Sequence, residues 1–129
     1  MRTITVAAAT IELQDGEHYA GLVLNSDGTP SHHLVLMPEA DKRMPWAAAV
    51  EWAQAQGGTL PTRSEQALLF ANAKQHFQPA WYWSGEEYQN ADDEDAGSSA
   101  WGQGFDYGYQ VSLHKSFEGR CRAVRRLTV

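Results

Sequence analysis

Six groups of residues carry side chains able to do chemistry. The most conspicuous is the run Asp92-Asp93-Glu94-Asp95, preceded by Asn90 and followed by Gly97-Ser98-Ser99. Calcium prefers hard oxygen ligands of this kind. The spacing nevertheless lacks the further ligands and the distal Glu of a calcium-binding hand, and the run reads as a solvated loop whose like charges repel one another. Glu86 and Glu87 stand just before it. Glycoside hydrolysis needs two carboxylates facing each other across a sugar, whereas neighbours on a strand point to opposite faces. The same geometry argues against a shared metal ion at His32-His33. Cys121 lies between Arg120 and Arg122, whose positive charge favours a thiolate. Its strand, with Ala123 and Val124, equally suits a small core residue.

His114 shares a polar strand face with Ser112 and Gln110 and has no nucleophile partner by motif. The arginines Arg120, Arg122, Arg125 and Arg126 have partners to hand within the fold. They can stack on Trp81, Trp83 or Trp101 and pair with Glu86 or Glu87. A phosphate or acidic-ligand site is the sharper alternative for that run. No residue is assigned a catalytic role, a metal or a cofactor.

The elements that must position these groups follow from periodicity and punctuation. Residues 81–127 hold three of the five Trp and four of the five Tyr, and aromatics at that density nucleate a core. Over 105–114, Phe105, Tyr107, Tyr109, Val111 and Leu113 alternate with Asp106, Gly108, Gln110, Ser112 and His114, which predicts one half-buried strand. Three strand-like runs, 4–13, 18–25 and 32–37, are separated by Gln14-Asp15-Gly16 and Asn25-Ser26-Asp27-Gly28. Asp-Gly pairs supply the positive φ of hairpin turns, so residues 1–38 are expected to form an N-terminal antiparallel meander.

Residues 45–56 predict a helix, with Pro45 in the first turn, Trp46, Ala49, Val50 and Ala53 at helical spacing, and Gly57-Gly58 as the stop. Thr62-Arg63-Ser64-Glu65 fits a capping box. It opens a second helix over 63–77, with Leu69, Phe70, Ala73 and Phe77 as its apolar stripe. Strands, two helices and strands again make an α+β domain.

The chain of 129 residues suits a single domain, 1–129. A net charge of -6 argues against a general nucleic-acid binder, which needs a basic face. One cysteine forms no intramolecular disulfide, and the first residues lack the apolar run of a secretory signal. The expected location is a host-cell cytoplasm or a virion assembled there. No apolar stretch approaches the roughly 18 residues that span a bilayer.

The order of the segments also carries a resemblance. Trp81-Tyr82-Trp83-Ser84 led in by Leu60-Pro61-Thr62-Arg63-Ser64-Glu65, then Ala100-Trp101, Gly108-Tyr109 and Arg122-Ala123-Val124-Arg125-Arg126-Leu127, resembles the Lcl C-terminal domain family. These are small bacterial and phage domains with a C-type lectin-like fold. The resemblance covers residues 46–127. It implies a C-type lectin-like core over 45–127, two helices on twisted antiparallel sheets, to which the meander would be an addition.

Typical members read Ser-Ser-Thr where this chain has Ser84-Gly85-Glu86. The related formylglycine-generating enzymes hold copper with two cysteines, and this chain has one. The glutamate-proline-asparagine and tryptophan-asparagine-aspartate motifs of calcium-dependent lectins are also missing. The resemblance therefore implies a non-enzymatic binding domain of phage or prophage type.

Its long loop would present Glu87, Tyr88, Asp92, Asp93, Glu94, Asp95, Trp101 and Tyr107 to a protein or carbohydrate. The alternatives are a virion accessory or assembly protein using the same aromatics in a homo-oligomer, a phage inhibitor of a host protein, and a hydrolase using Glu86 or Glu87 with His114.

Overall fold

Turn chemistry fixes the first hairpin. The computed structural model describes residues 1–129, and its first strands are β1 (His18–Leu24) and β2 (Pro30–Glu39). Between them the Asn25 amide donates to the Thr29 carbonyl at 2.8 Å, and Gly28 donates back to Asn25 at 2.9 Å. Gly28 has φ +87°, a backbone state that glycine enters at no steric cost.

Helix α1 (Trp46–Ala55) starts after Pro45 and stops at Gly57, φ +85°. Helix α2 (Arg63–Ala73) runs into a short 3₁₀ turn, Lys74–His76. Then come β3 (Trp81–Glu87), β4 (Ser99–Gly104), β5 (Gln110–His114) and β6 (Arg122–Thr128).

The architecture is α+β, with two helices and two three-stranded antiparallel sheets in the orders β1-β2-β6 and β3-β4-β5. The segment entering β6 ties the sheets together. Trp83 donates its amide to the Arg120 carbonyl at 3.0 Å and Arg120 donates to Trp81 at 2.9 Å. Two residues later the same chain pairs with β2, placing Val124 opposite Leu36 and Arg126 opposite Leu34.

Two strand expectations are corrected. Residues 4–13 form no strand, so the N-terminal unit is a hairpin rather than a three-stranded meander, and the third strand of its sheet is β6. The turn at Gln14-Asp15-Gly16 does form, closed by a 3.0 Å bond from the Glu17 amide to the Gln14 carbonyl. The preceding segment instead passes beside His33 and Leu127. Both edges of β2 are already occupied, by β1 and β6, and Ala7-Ala8-Ala9 offers too little side chain to hold a strand on an outer edge.

The single strand expected over 105–114 is also broken. Asp106-Tyr107-Gly108 turns the chain, with Gly108 at φ +86° donating to the Gly104 carbonyl at 2.9 Å. The alternation continues through the turn and so hides it. Of its five apolar positions Phe105 is buried, while Tyr107 is 79% and Tyr109 69% exposed.

Trp83, Tyr82 and Phe105 are the largest fully buried side chains. Trp83 packs with Ala49 and Ala53 of α1 and with Cys121 and Ala123. Tyr82 and Phe105 pack with Leu69 of α2 and with Leu34 and Leu36 of β2. Helix α2 thus packs on both sheets.

One buried carboxylate holds the start of α2. Thr62 accepts the Glu65 amide at 3.2 Å and Glu65 accepts the Thr62 amide at 2.8 Å, the reciprocal capping box. Glu65 is only 1% exposed and is gripped bidentately by Arg126 of β6, at 2.6 and 2.7 Å. His32 Nε2 of β2 donates to it at 2.7 Å.

Burial alone would raise the Glu65 pKa. The Arg126 guanidinium, the Thr62 amide and His32 together outweigh it and hold the carboxyl at about 2. Because the folded pKa lies below the ordinary 4.5, the stabilisation is complete above pH 4.5 and fades as pH falls toward 2, with a magnitude of about 3 kcal/mol. Urea unfolding should therefore show a gap between wild type and Glu65→Gln that is widest at neutral pH and closes in acid. A gap independent of pH would contradict the assignment.

Candidate functional site

The surface around Trp101 is assembled from three elements. Register places Trp101 of β4 opposite Ser112 of β5, and Gln103 opposite Gln110, all on one face of the second sheet. The first turn of α2 covers that face. Arg63 lies over the Trp101 ring with its guanidinium carbon 3.5 Å from the centroid, a stacking for which the planar guanidinium is suited.

Arg63 is pinned there. Its Nε donates to Gln110 Oε1 at 3.1 Å and its amide to Glu86 Oε2 at 2.6 Å. Gln110 Nε2 in turn donates to the Arg63 carbonyl and to Gln103 Oε1, each at 2.7 Å. Gln103 is fully buried, so this chain of amides stiffens the platform from below.

Arg63 separates two clefts. One, of about 550 Å³, is bounded by Glu86, Glu87, Gln89 and Trp101. The other, of about 410 Å³, lies between Ser64, Ala67 and Phe70 of α2 and Gln103, Gly108 and Gln110 of the hairpin. A Cβ at Gly108 would stand 2.9 Å from the Phe70 ring. Close approach and positive φ therefore both require glycine at the tip that carries Tyr107 and Tyr109.

The expected site residues divide into three sets. Glu87, Tyr88 and Trp101 come together, with Tyr88 edge-on to Trp101 at 5.5 Å and Glu87 paired with Lys115 at 3.3 Å. Asp92, Asp93, Glu94 and Asp95 are exposed and make no ion pair. The Asp93 carboxylate is turned to the Asp95 amide at 2.9 Å, and no three His, Cys, Asp or Glu side chains converge as a metal site. Tyr107 lies apart from Trp101, beyond the end of β4, about 10 Å of strand away, beside Tyr109 at 6.5 Å.

Arg63, Gln103, Gln110 and Tyr109 were not foreseen as a site. Arg63 read as part of a helix cap. The signal for the rest was the spacing of Gln103 and Gln110, centred between Asp106 and Tyr107, which marks a hairpin with an amide pair across it.

The arginine run has other partners than expected. Arg125 forks onto Glu17 at 2.9 and 3.0 Å, Arg120 reaches Glu39 at 3.2 Å, and Arg126 takes Glu65. Arg122 is buried and donates to the carbonyls of Met37 and His76. These are ties between elements distant in sequence, and Glu86 and Glu87 take none of them. His114 sits at the surface against Ser116.

Ser31, His32 and Glu65 form a hydrogen-bonded series, 2.8 and 2.7 Å. The Glu65 charge is already neutralised by Arg126, and no cleft opens at Ser31, so the series is a structural tie.

No protein-family model matches the chain, and a search of curated proteins finds no match either.

Cys121 is fully buried. Burial, with a smaller contribution from the Glu39 carboxylate, pushes its thiol up to about 12, opposite to the effect expected from its flanking arginines. Thiol reagents at neutral pH should label it only at the rate of opening or unfolding. Rapid labelling of the native protein would show an accessible thiolate instead.

Proposed function

We propose that this chain is a non-enzymatic binding domain with a C-type lectin-like fold, of phage or prophage type. Its ligand is a protein or a carbohydrate, and its recognition face runs from Glu87, Tyr88 and Trp101 along the two clefts to the hairpin tip. The observation that carries this reading is the exposed pair Tyr107 and Tyr109 at the rim of a cleft whose floor is rigid.

Large aromatics left in water at the tip of a well-ordered hairpin stabilise no core. They are the residue type that anchors recognition, with an apolar body and a polar end. The amide network beneath supplies the preorganisation that keeps the cost of binding low. The resemblance of the segments around Trp83, Trp101 and Val124 to the Lcl C-terminal domain family supports the fold assignment, as do two helices set against two small sheets.

Several polar groups beside the clefts hold one another, Glu86 the Arg63 amide and Gln103 the Gln110 amide, while the Ser64 hydroxyl has no base hydrogen-bonded to it. None is a nucleophile beside a free base, which favours binding over catalysis. The exposed Asp92, Asp93, Glu94 and Asp95 extend the acidic side of this face and act on encounter more than on residence.

The test is selection of ligands from a glycan array and from a displayed peptide library, repeated with variants. Tyr107→Ala with Tyr109→Ala, or Trp101→Ala alone, is expected to lower affinity for a selected ligand at least tenfold, about 1.4 kcal/mol. The tyrosine variant should keep the wild-type melting temperature. Asp92→Asn with Asp93→Asn should change the association rate and its salt dependence. Ligands that bind all these variants as tightly as wild type would place recognition elsewhere.

A further inference from the structure

A separate pocket of about 280 Å³ lies between α1 and the segment joining α1 to α2. Trp46, Val50 and Gln54, four residues apart along α1, form one wall, and Leu60 with Thr59, Thr62 and Arg126 forms another. None of these residues borders the clefts beside Trp101. The floor is tightly built. Trp46 Nε1 donates to the Ser84 carbonyl at 2.9 Å, which fixes the indole. A Cβ on Gly85 would come within 3.2 Å of the Leu60 carbonyl oxygen.

The hydrogen-bonding capacity of the walls is lopsided. Arg126 spends Nε and one Nη2 proton on Glu65, the other Nη2 proton on the Leu60 carbonyl at 3.5 Å, and directs Nη1 to Thr59 Oγ1 at 2.6 Å, leaving one Nη1 proton over. Thr59 Oγ1 accepts that bond and Thr62 Oγ1 accepts the Glu65 amide. Neither hydroxyl donates within the protein. Two O–H groups and one guanidinium N–H therefore have no acceptor within the protein, and with Thr59 and Arg126 exposed they are free to donate to a ligand in place of water. The one charged lining residue is Arg126, whose carboxylate partner Glu65 lies outside the lining. Opposite stand the indole of Trp46 and Val50, with the exposed Gln54 amide beyond them.

Hydroxyl and guanidinium donors beside an indole and a valine suit a ligand with an acceptor head and an apolar body. We infer that this pocket binds a small monocarboxylate, its head received by Thr59, Thr62 and Arg126 and its body laid against Trp46, Val50 and Leu60. The volume lies at the lower limit for small-molecule pockets and suits the size of benzoate or hexanoate.

The inference is tested by titrating the ¹⁵N-labelled full chain with benzoate and with hexanoate at constant ionic strength, using benzyl alcohol and hexanol as matched neutral probes. Saturable amide shifts confined to residues around Val50, Thr59, Thr62 and Gly85 are expected with the carboxylates and not with the alcohols. Thr59→Val should weaken binding several-fold. Val50→Trp, which fills the pocket, should abolish it, and so should Gln54→Trp, whose exposed position spares the fold. Shifts that do not saturate, alcohols that bind as well as the acids, or a Gln54→Trp variant that binds normally would each overturn it.

Discussion

The carboxylate of Glu65 is the group on which the rest of this structure depends. It closes the cap of α2, takes both arms of Arg126 from β6 and receives His32 from β2. A buried charge is costly unless it is fully hydrogen-bonded, and here four donors surround one carboxylate. Their combined effect exceeds the cost of burial, as the depressed Glu65 pKa records. The consequence reaches the surface two residues earlier in the chain. With the first turn of α2 fixed in position and rotation, Arg63 falls over Trp101, and its backbone meets Glu86 and Gln110.

Charge is used in two distinct ways. Arg120, Arg122, Arg125 and Arg126 face inward, to Glu39, the carbonyls of Met37 and His76, Glu17 and Glu65. Each joins segments far apart in sequence, and removal of either partner leaves the other without its match. The acids between 92 and 95 have no such partner and give that side of the molecule its negative field. The proposed recognition face lies where the two regimes meet, on a rigid polar floor whose aromatic rim extends into water.

Punctuation residues made much of the fold legible. Pro45 and Gly57 bounded α1, Thr62 and Glu65 marked the start of α2, and Asn25 to Gly28 produced the first hairpin. What failed was alternation read without a partner. The run 4–13 has a strand's pattern but small side chains at Ala7-Ala8-Ala9, and the pattern over 105–114 passes unbroken through a turn marked only by Gly108 and by Gln103 and Gln110 on either side of it. Side-chain partners were less legible still, because Arg125 with Glu17, or Arg126 with Glu65, depends on strands being brought together from opposite ends of the chain. The same limit explains why Trp101 was foreseen as a site residue while Arg63, which stacks on it, was not.

The central claim is that the buried Glu65 ion pair holds Arg63 in place on Trp101. The most direct measurement is the ring-current shift of the Arg63 δ-methylene protons by NMR, in wild type and in Glu65→Gln, under conditions where both are folded. Stacking at 3.5 Å predicts a strong upfield shift in wild type that relaxes toward the random-coil position when the Glu65 charge is removed. Arg63 resonances that stay shifted and unchanged in the folded variant would contradict the account and show that the platform is held by the Gln110 network alone.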